Sequence, residues 1–91
     1  MASSIAIIIP TLNEERALSR TLLYLRQQQF QEIIIVDGGS EDQTLVIANN
    51  HLNGLCQREA KTIVADRGRA RQMNAGAAEA KSDILLFLHA D

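Results

Sequence analysis

Apolar residues gather in four short runs along the chain: residues 5–9 (IAIII), 33–36 (IIIV), 62–65 (TIVA) and 84–88 (ILLFL). The runs are mostly β-branched and continuous, with no polar residue at every second place. Strands buried on both faces read this way, as they do in a parallel sheet. Between them the period lengthens. Leu18, Leu22 and Leu25 make one apolar stripe, predicting a helix over 14–28 with Asn13 as its N-cap. Leu45, Ile47 and Ala48 give an inner face to a second helix over 41–51. Ser40 and Gln43 stand at capping-box spacing, which starts that helix just after a glycine pair. A third, alanine-rich helix spans 69–80, with Ala70, Met73, Ala77 and Ala80 at helical spacing. Residues 52–60 (LNGLCQREA) have no clear period beyond a turn at Asn53-Gly54.

The order β-α-β-α-β-α-β predicts an α/β fold: a mainly parallel, Rossmann-like sheet with right-handed crossovers and helices on both faces, a three-layer sandwich. The length of 91 residues suits one small domain. The chain stops at Asp91, directly after its fourth strand, which reads as a fragment of a longer protein.

Composition narrows the function classes. A net charge of −2 and 3% aromatics argue against nucleic acid, which asks for a basic surface and stacking platforms. Cys56 is the only cysteine, so no internal disulfide forms; it reads as a small buried or half-buried thiol in a reducing, cytoplasmic setting. No signal-peptide pattern and no membrane span are expected.

In open α/β sheets, ligands bind outside the carboxyl ends of the strands. The four runs deliver Pro10-Thr11-Leu12-Asn13-Glu14, Asp37-Gly38-Gly39-Ser40, Asp66-Arg67-Gly68-Arg69 and His89-Ala90-Asp91 to one edge. Any one of these is ordinary turn chemistry; together they predict a shared site. Asp37 either terminates its strand or accepts a hydrogen bond from a ligand N–H such as a nucleobase imide. Gly38 and Gly39 supply unusual backbone angles or room for a ligand. Glu41 and Asp42 suit the dipole of a helix start. Arg67, Arg69 and Arg71 flank Gly68 at another helix start, either as a solvated face or as a diphosphate clamp; Asn74 follows one turn on. Asp91 suits a hard divalent cation bridging phosphates, with His89 on the same side of the extended segment. His51 reads as a surface residue.

The blocks IPTLNEE (9–15), IVDGGSEDQT (35–44), GRARQMNAG (68–76) and DILLFLHAD (83–91) resemble the donor-binding half of family 2 glycosyltransferases, which have the GT-A fold. The likeness covers essentially the whole chain and looks like a bacterial subgroup. It implies that Pro10, Thr11, Asn13 and Glu14 line a nucleoside pocket, that Asp37 and Gly38 meet the base, and that Gly68, Arg69 and Arg71 lie near ribose and diphosphate. His89-Ala90-Asp91 would stand at the family's Asp-x-Asp metal motif, with Asp91 as the second acid and His89 replacing the first. The implied cofactor is manganese or magnesium, and the imidazole tilts the choice toward manganese or a softer ion. The implied partners are a nucleotide-diphospho-sugar and an unidentified acceptor. No catalytic residue is assigned within these 91 residues; the catalytic base would lie in a second half, so the chain alone would not transfer sugar. Rival readings are a nucleotidyltransferase, disfavoured because no glycine-rich basic loop follows the first strand, and a non-catalytic nucleotide-binding or assembly module that dimerises through its unfinished sheet. A dinucleotide oxidoreductase would want G-x-G-x-x-G after a strand, and that pattern is missing.

Overall fold

The computed structural model describes residues 3–55 and 58–90. Cys56 and Asp91, expected as a thiol and a cation ligand, lie outside the described residues. The elements are β1 (Ile5–Thr11), α1 (Leu18–Leu25), β2 (Glu32–Asp37), α2 (Thr44–Leu52), β3 (Glu59–Val64), α3 (Arg69–Glu79) and β4 (Ile84–Phe87). The strands form one parallel sheet in the order β3-β2-β1-β4. None of the described helices is long and apolar enough to cross a membrane.

The chain winds outward from β1 to β3, then returns across the sheet to β4. A reversal of direction at constant crossover hand must change faces. It does: Ile7, Ile9, Ile33 and Ile35 pack with Leu18, Leu22 and Leu25 of α1 and Ala48 and Leu52 of α2. Ile8, Ile34 and Val36 turn to the other side, toward Ala75 and Ala77 of α3. The leucine stripe of α1 is therefore the core face the period predicts. The reversal leaves β1 and β4 as neighbours, and the crevice outside their carboxyl ends is where such sheets take ligands.

Continuous burial holds for the two central strands only. β3 and β4 lie at the edges, and Ile84, Leu86 and Phe87 of β4 remain 42–45% exposed.

Two cap expectations are corrected. Asn13 does not cap α1. It sits at φ 54°, in the left-handed region, and its Oδ1 accepts from the Glu41 N–H across the loops (2.8 Å). The helix starts four residues after Glu14, whose carbonyl accepts from Leu18 N (2.9 Å). Ser40 does not cap α2 either: its hydroxyl is spent on Asp37, and the helix begins at Thr44, whose N–H meets Asp42 Oδ1 (2.9 Å). On α3, Ala77 and the Ala80 that follows it pack against the sheet as their spacing predicts, while Ala70 is exposed and the buried positions are Gln72 and Gly76.

Candidate functional site

Asp37 ends β2 with its side chain fully buried. Its Oδ1 accepts from the hydroxyls of Thr11 (2.8 Å) and Ser40 (2.6 Å). Its Oδ2 accepts from the N–H groups of Gly39 (3.0 Å) and Ser40 (2.7 Å). Burial works to raise this carboxyl's pKa, but the donors of Ser40, Thr11 and Gly39 outweigh it and hold the group below the ordinary aspartate value. A carboxylate with four donors from its own surroundings has no accessible lone pair left for a base. The expected base contact at Asp37 gives way to a different job: this side chain folds the β2–α2 loop, in which Gly39 takes a φ of 94°.

That loop in turn holds the one after β1. Asn13 N donates to Ser40 Oγ (2.8 Å), Glu14 N to Thr44 Oγ1 (2.8 Å) and Glu15 N to Asp42 Oδ2 (3.3 Å). Thr44 also gives its hydroxyl proton to Asp42. The Thr44 hydroxyl does most to hold the Asp42 carboxyl below the ordinary aspartate value. The two loops are thus clasped by short polar side chains, and the Pro10-to-Glu14 segment is fixed in place without a helix cap.

Beside this clasp, at the β1/β4 switch point, opens a cleft of about 180 Å3. One wall is Pro10, Thr11 and Leu12 from the end of β1; the other is Arg67, Gly68 and Arg69 at the start of α3, with His89 closing one side. Arg67 is tethered by Nε to Gly38 O (3.4 Å) and by Nη2 to Gly39 O (3.3 Å). Its guanidinium and that of Arg69 bring positive charge to the first turn of a helix, where free N–H groups already favour anions.

Of the residues expected at the site, Pro10, Thr11, Glu14, Gly68, Arg69 and His89 line this cleft. Asn13, Asp37, Gly38 and Arg71 do not; the first two organise the loops beneath it. The room expected beside Gly38 is taken, because a Cβ there would stand 2.7 Å from Gln72 Oε1. Gln72 is the residue that sequence reasoning missed. It is buried and lines the cleft, and its only sequence signal was its spacing of four from Gly76. Among the described residues no group of three or more His, Cys, Asp or Glu comes together to hold a metal ion.

The model of Glycosyl transferase family 2 matches residues 6–91. The chain belongs to that family. A PGL/p-HBAD biosynthesis glycosyltransferase of Mycobacterium tuberculosis is 40% identical over 92 residues, covering 99% of this chain and 36% of that protein. Two solved structures share the fold at 22% identity. The mannosyltransferase PcManGT from Pyrobaculum calidifontis, in complex with GDP-Man and Mn2+, superposes with a TM-score of 0.90 over 100% of this chain and 28% of its own. The glucosyl-3-phosphoglycerate synthase of M. tuberculosis, in complex with Mg2+ and UDP, gives 0.79 over 99% and 34%. The chain spans about a third of the length of that mycobacterial relative and of the two solved structures. The fold is the GT-A type that the motifs implied; the first two blocks fall at the ends of β1 and β2, the third on the start of α3 and the fourth on β4.

Proposed function

We propose that this chain is the donor-binding part of a glycosyltransferase that takes a sugar from a nucleotide-diphospho-sugar. The observation that carries the reading is the cleft at the β1/β4 switch point, where Arg67, Arg69 and the start of α3 meet the end of β1. A diphosphate suits two guanidinium groups and a helix N-terminus. Family membership supplies the reaction class. In that reaction the bond from the anomeric carbon to the diphosphate oxygen breaks, and a bond to an acceptor hydroxyl oxygen forms. The hydroxyl proton leaves to a base that none of these residues provides, so the chain alone binds the donor without turning it over. The positive wall stabilises charge as it builds on the departing diphosphate.

A divalent cation, manganese or magnesium, belongs to the same reading. Its proposed ligands are His89, on the cleft, and Asp91, two residues on in the sequence. Such an ion supplies a counter-charge to the diphosphate. The metal-bound neighbours support this choice, and the imidazole favours manganese.

Calorimetric titration of the intact protein with UDP, GDP and ADP, each with and without manganese, tests the reading. One nucleotide is expected to bind best, with affinity reduced when the metal is chelated. Arg69→Ala is expected to weaken that binding about tenfold, the worth of one charge-assisted hydrogen bond. Absence of binding by the intact protein to all three nucleotides rejects the donor reading. The exposed apolar face of β4 supports a second one, an assembly module that pairs through this edge. Concentration-dependent dimerisation in light scattering, without nucleotide binding, is its signature.

A further inference from the structure

Gln72 lies in the second turn of α3 and is only 4% exposed, although its carboxamide carries two N–H donors and a carbonyl acceptor. Its Nε2 donates to Thr11 O (2.9 Å) and to Val36 O (2.9 Å). Its Oε1 accepts from Gly68 N (3.1 Å). Two carbonyls and one N–H surround the amide, so only this orientation satisfies every group. The carboxamide thus joins three chain segments: the end of β1, the end of β2 and the turn into α3. Two of them, Thr11 and Gly68, are opposite walls of the cleft. The β3–α3 loop is also tied to this side by Ala65 N, which donates to Asp37 O (2.9 Å), and by Arg67, whose bonds to Gly38 O and Gly39 O are longer, at 3.3–3.4 Å.

The backbone is built to receive this amide. Gly38 has no side chain, and the space its Cβ would need holds the Gln72 amide, with Oε1 at 2.7 Å and Cδ at 2.9 Å. Gly68, at φ 143°, turns its N–H onto Oε1 before the helix begins. A buried apolar residue at 72 would fill the same volume and leave Gly68 N and the extra acceptor capacity of two carbonyls unmatched. The polar choice is explained by what it holds, not by packing.

We propose that Gln72 is the positioning residue of the nucleotide cleft: its carboxamide clamps the end of β1 to the Gly68 amide and sets the separation of the two walls that grip the diphosphate. This rests on the donor reading above. Gln72 does not itself touch the ligand's reacting atoms; it acts through Thr11, Gly68 and the arginines on either side of Gly68.

The test is nucleotide affinity across pH in the intact protein, wild type against Gln72→Glu and Gln72→Met, with manganese and the nucleotide that wild type binds best. Glutamate keeps the acceptor for Gly68 N. Ionised, it repels the two carbonyls; protonated, it donates to one of them. Burial beside two carbonyls raises such a carboxyl's pKa, which brings the switch into the range of a binding assay. The ratio of wild-type to Gln72→Glu affinity removes the nucleotide's own titration. That ratio is expected to be about tenfold at pH 8 and to fall several-fold by pH 5.5, whereas Gln72→Met stays weak at both. All titrations run well below each variant's melting temperature, so loss of fold is separated from loss of affinity. Gly38→Ala, which pushes the amide out while leaving Gln72 in the chain, is expected to weaken binding as well. It also serves if the methionine variant does not fold. A folded Gln72→Met that binds like wild type, or a pH-independent ratio for Gln72→Glu, overturns the proposal. If wild type itself binds no nucleotide, the donor reading falls and takes this inference with it.

Discussion

Gly76→Val is expected to lose about 3 kcal/mol or more of folding stability, a large share of what a domain of this size has. Helix propensity predicts the opposite sign, because valine is slightly better than glycine inside a helix. Packing decides. A Cβ at position 76 would stand 2.6 Å from Ile8 Cγ2 and 2.9 Å from Val36 Cγ2. Ile8 and Val36 are fully buried in the two central strands and have no room to retreat. Relief requires α3 to move off the sheet, which opens the contact with Ala75 and Ala77 along its length. Gly76→Ala gives the milder step, a loss of about 1–2 kcal/mol in which overpacking outweighs a propensity gain of about 1 kcal/mol. Urea unfolding of both variants checks the ordering wild type, alanine, valine. A stabilised alanine variant would mean that α3 sits further from the sheet than described. The same movement would carry Gln72 away from Thr11, so nucleotide affinity should fall together with stability.

How far the fold could be read from the chain follows from which signals are local. The leucines of α1 stand out because Leu18, Leu22 and Leu25 keep the helical spacing, and the one leucine off that stripe, Leu23, is left half-exposed. In α3 the alanine spacing found Ala77 and Ala80 but missed Gln72, because a buried glutamine reads as a surface residue until its partners are known. Those partners, Thr11 O and Val36 O, are 61 and 36 residues away in sequence. The caps failed for the same reason. Asn13 and Ser40 have the side chains of caps, but they spend them on each other's loops, 27 and 28 residues apart. A parallel sheet gathers all its carboxyl ends at one edge, so the location of the site was legible. Which of those ends face the cleft depends on the order β3-β2-β1-β4, which no local pattern encodes. Hence Arg69 and His89 line the cleft, and Asp37 lies beneath it.

Asp37→Ala is expected to cost about 2–4 kcal/mol, because it strands the buried hydroxyl of Thr11 and, in a part-buried setting, the hydroxyl of Ser40 and two backbone N–H groups. Each unsatisfied donor costs about 1–3 kcal/mol, and water entering the space left by the carboxylate relieves part of the sum. Asparagine is the discriminating variant. Its oxygen still serves the N–H groups of Gly39 and Ser40, and its amino group faces two hydroxyls that rotate to accept. Asp37→Asn is therefore expected to lose about 1–2 kcal/mol, well short of alanine. The aspartate's advantage over asparagine also depends on pH. Its folded-state pKa lies below the ordinary value of 3.8, so the carboxylate's contribution is complete above that value. It disappears as the pH falls below 3.8 toward the folded-state pKa. Glu32, which accepts from the Ser82 hydroxyl and the N–H groups of Lys81 and Ser82, is also held low in pKa against its burial. It weakens the wild type and both variants alike in acid. The informative quantity is then the gap in unfolding free energy between wild type and Asp37→Asn, measured by denaturant titration from neutral pH down through the acid transition. A gap that narrows below pH 4 identifies Asp37 as the charged hub of the β2–α2 loop. A gap that stays constant would mean that the loop is held by its backbone alone and that the four donors are satisfied equally well by a neutral amide.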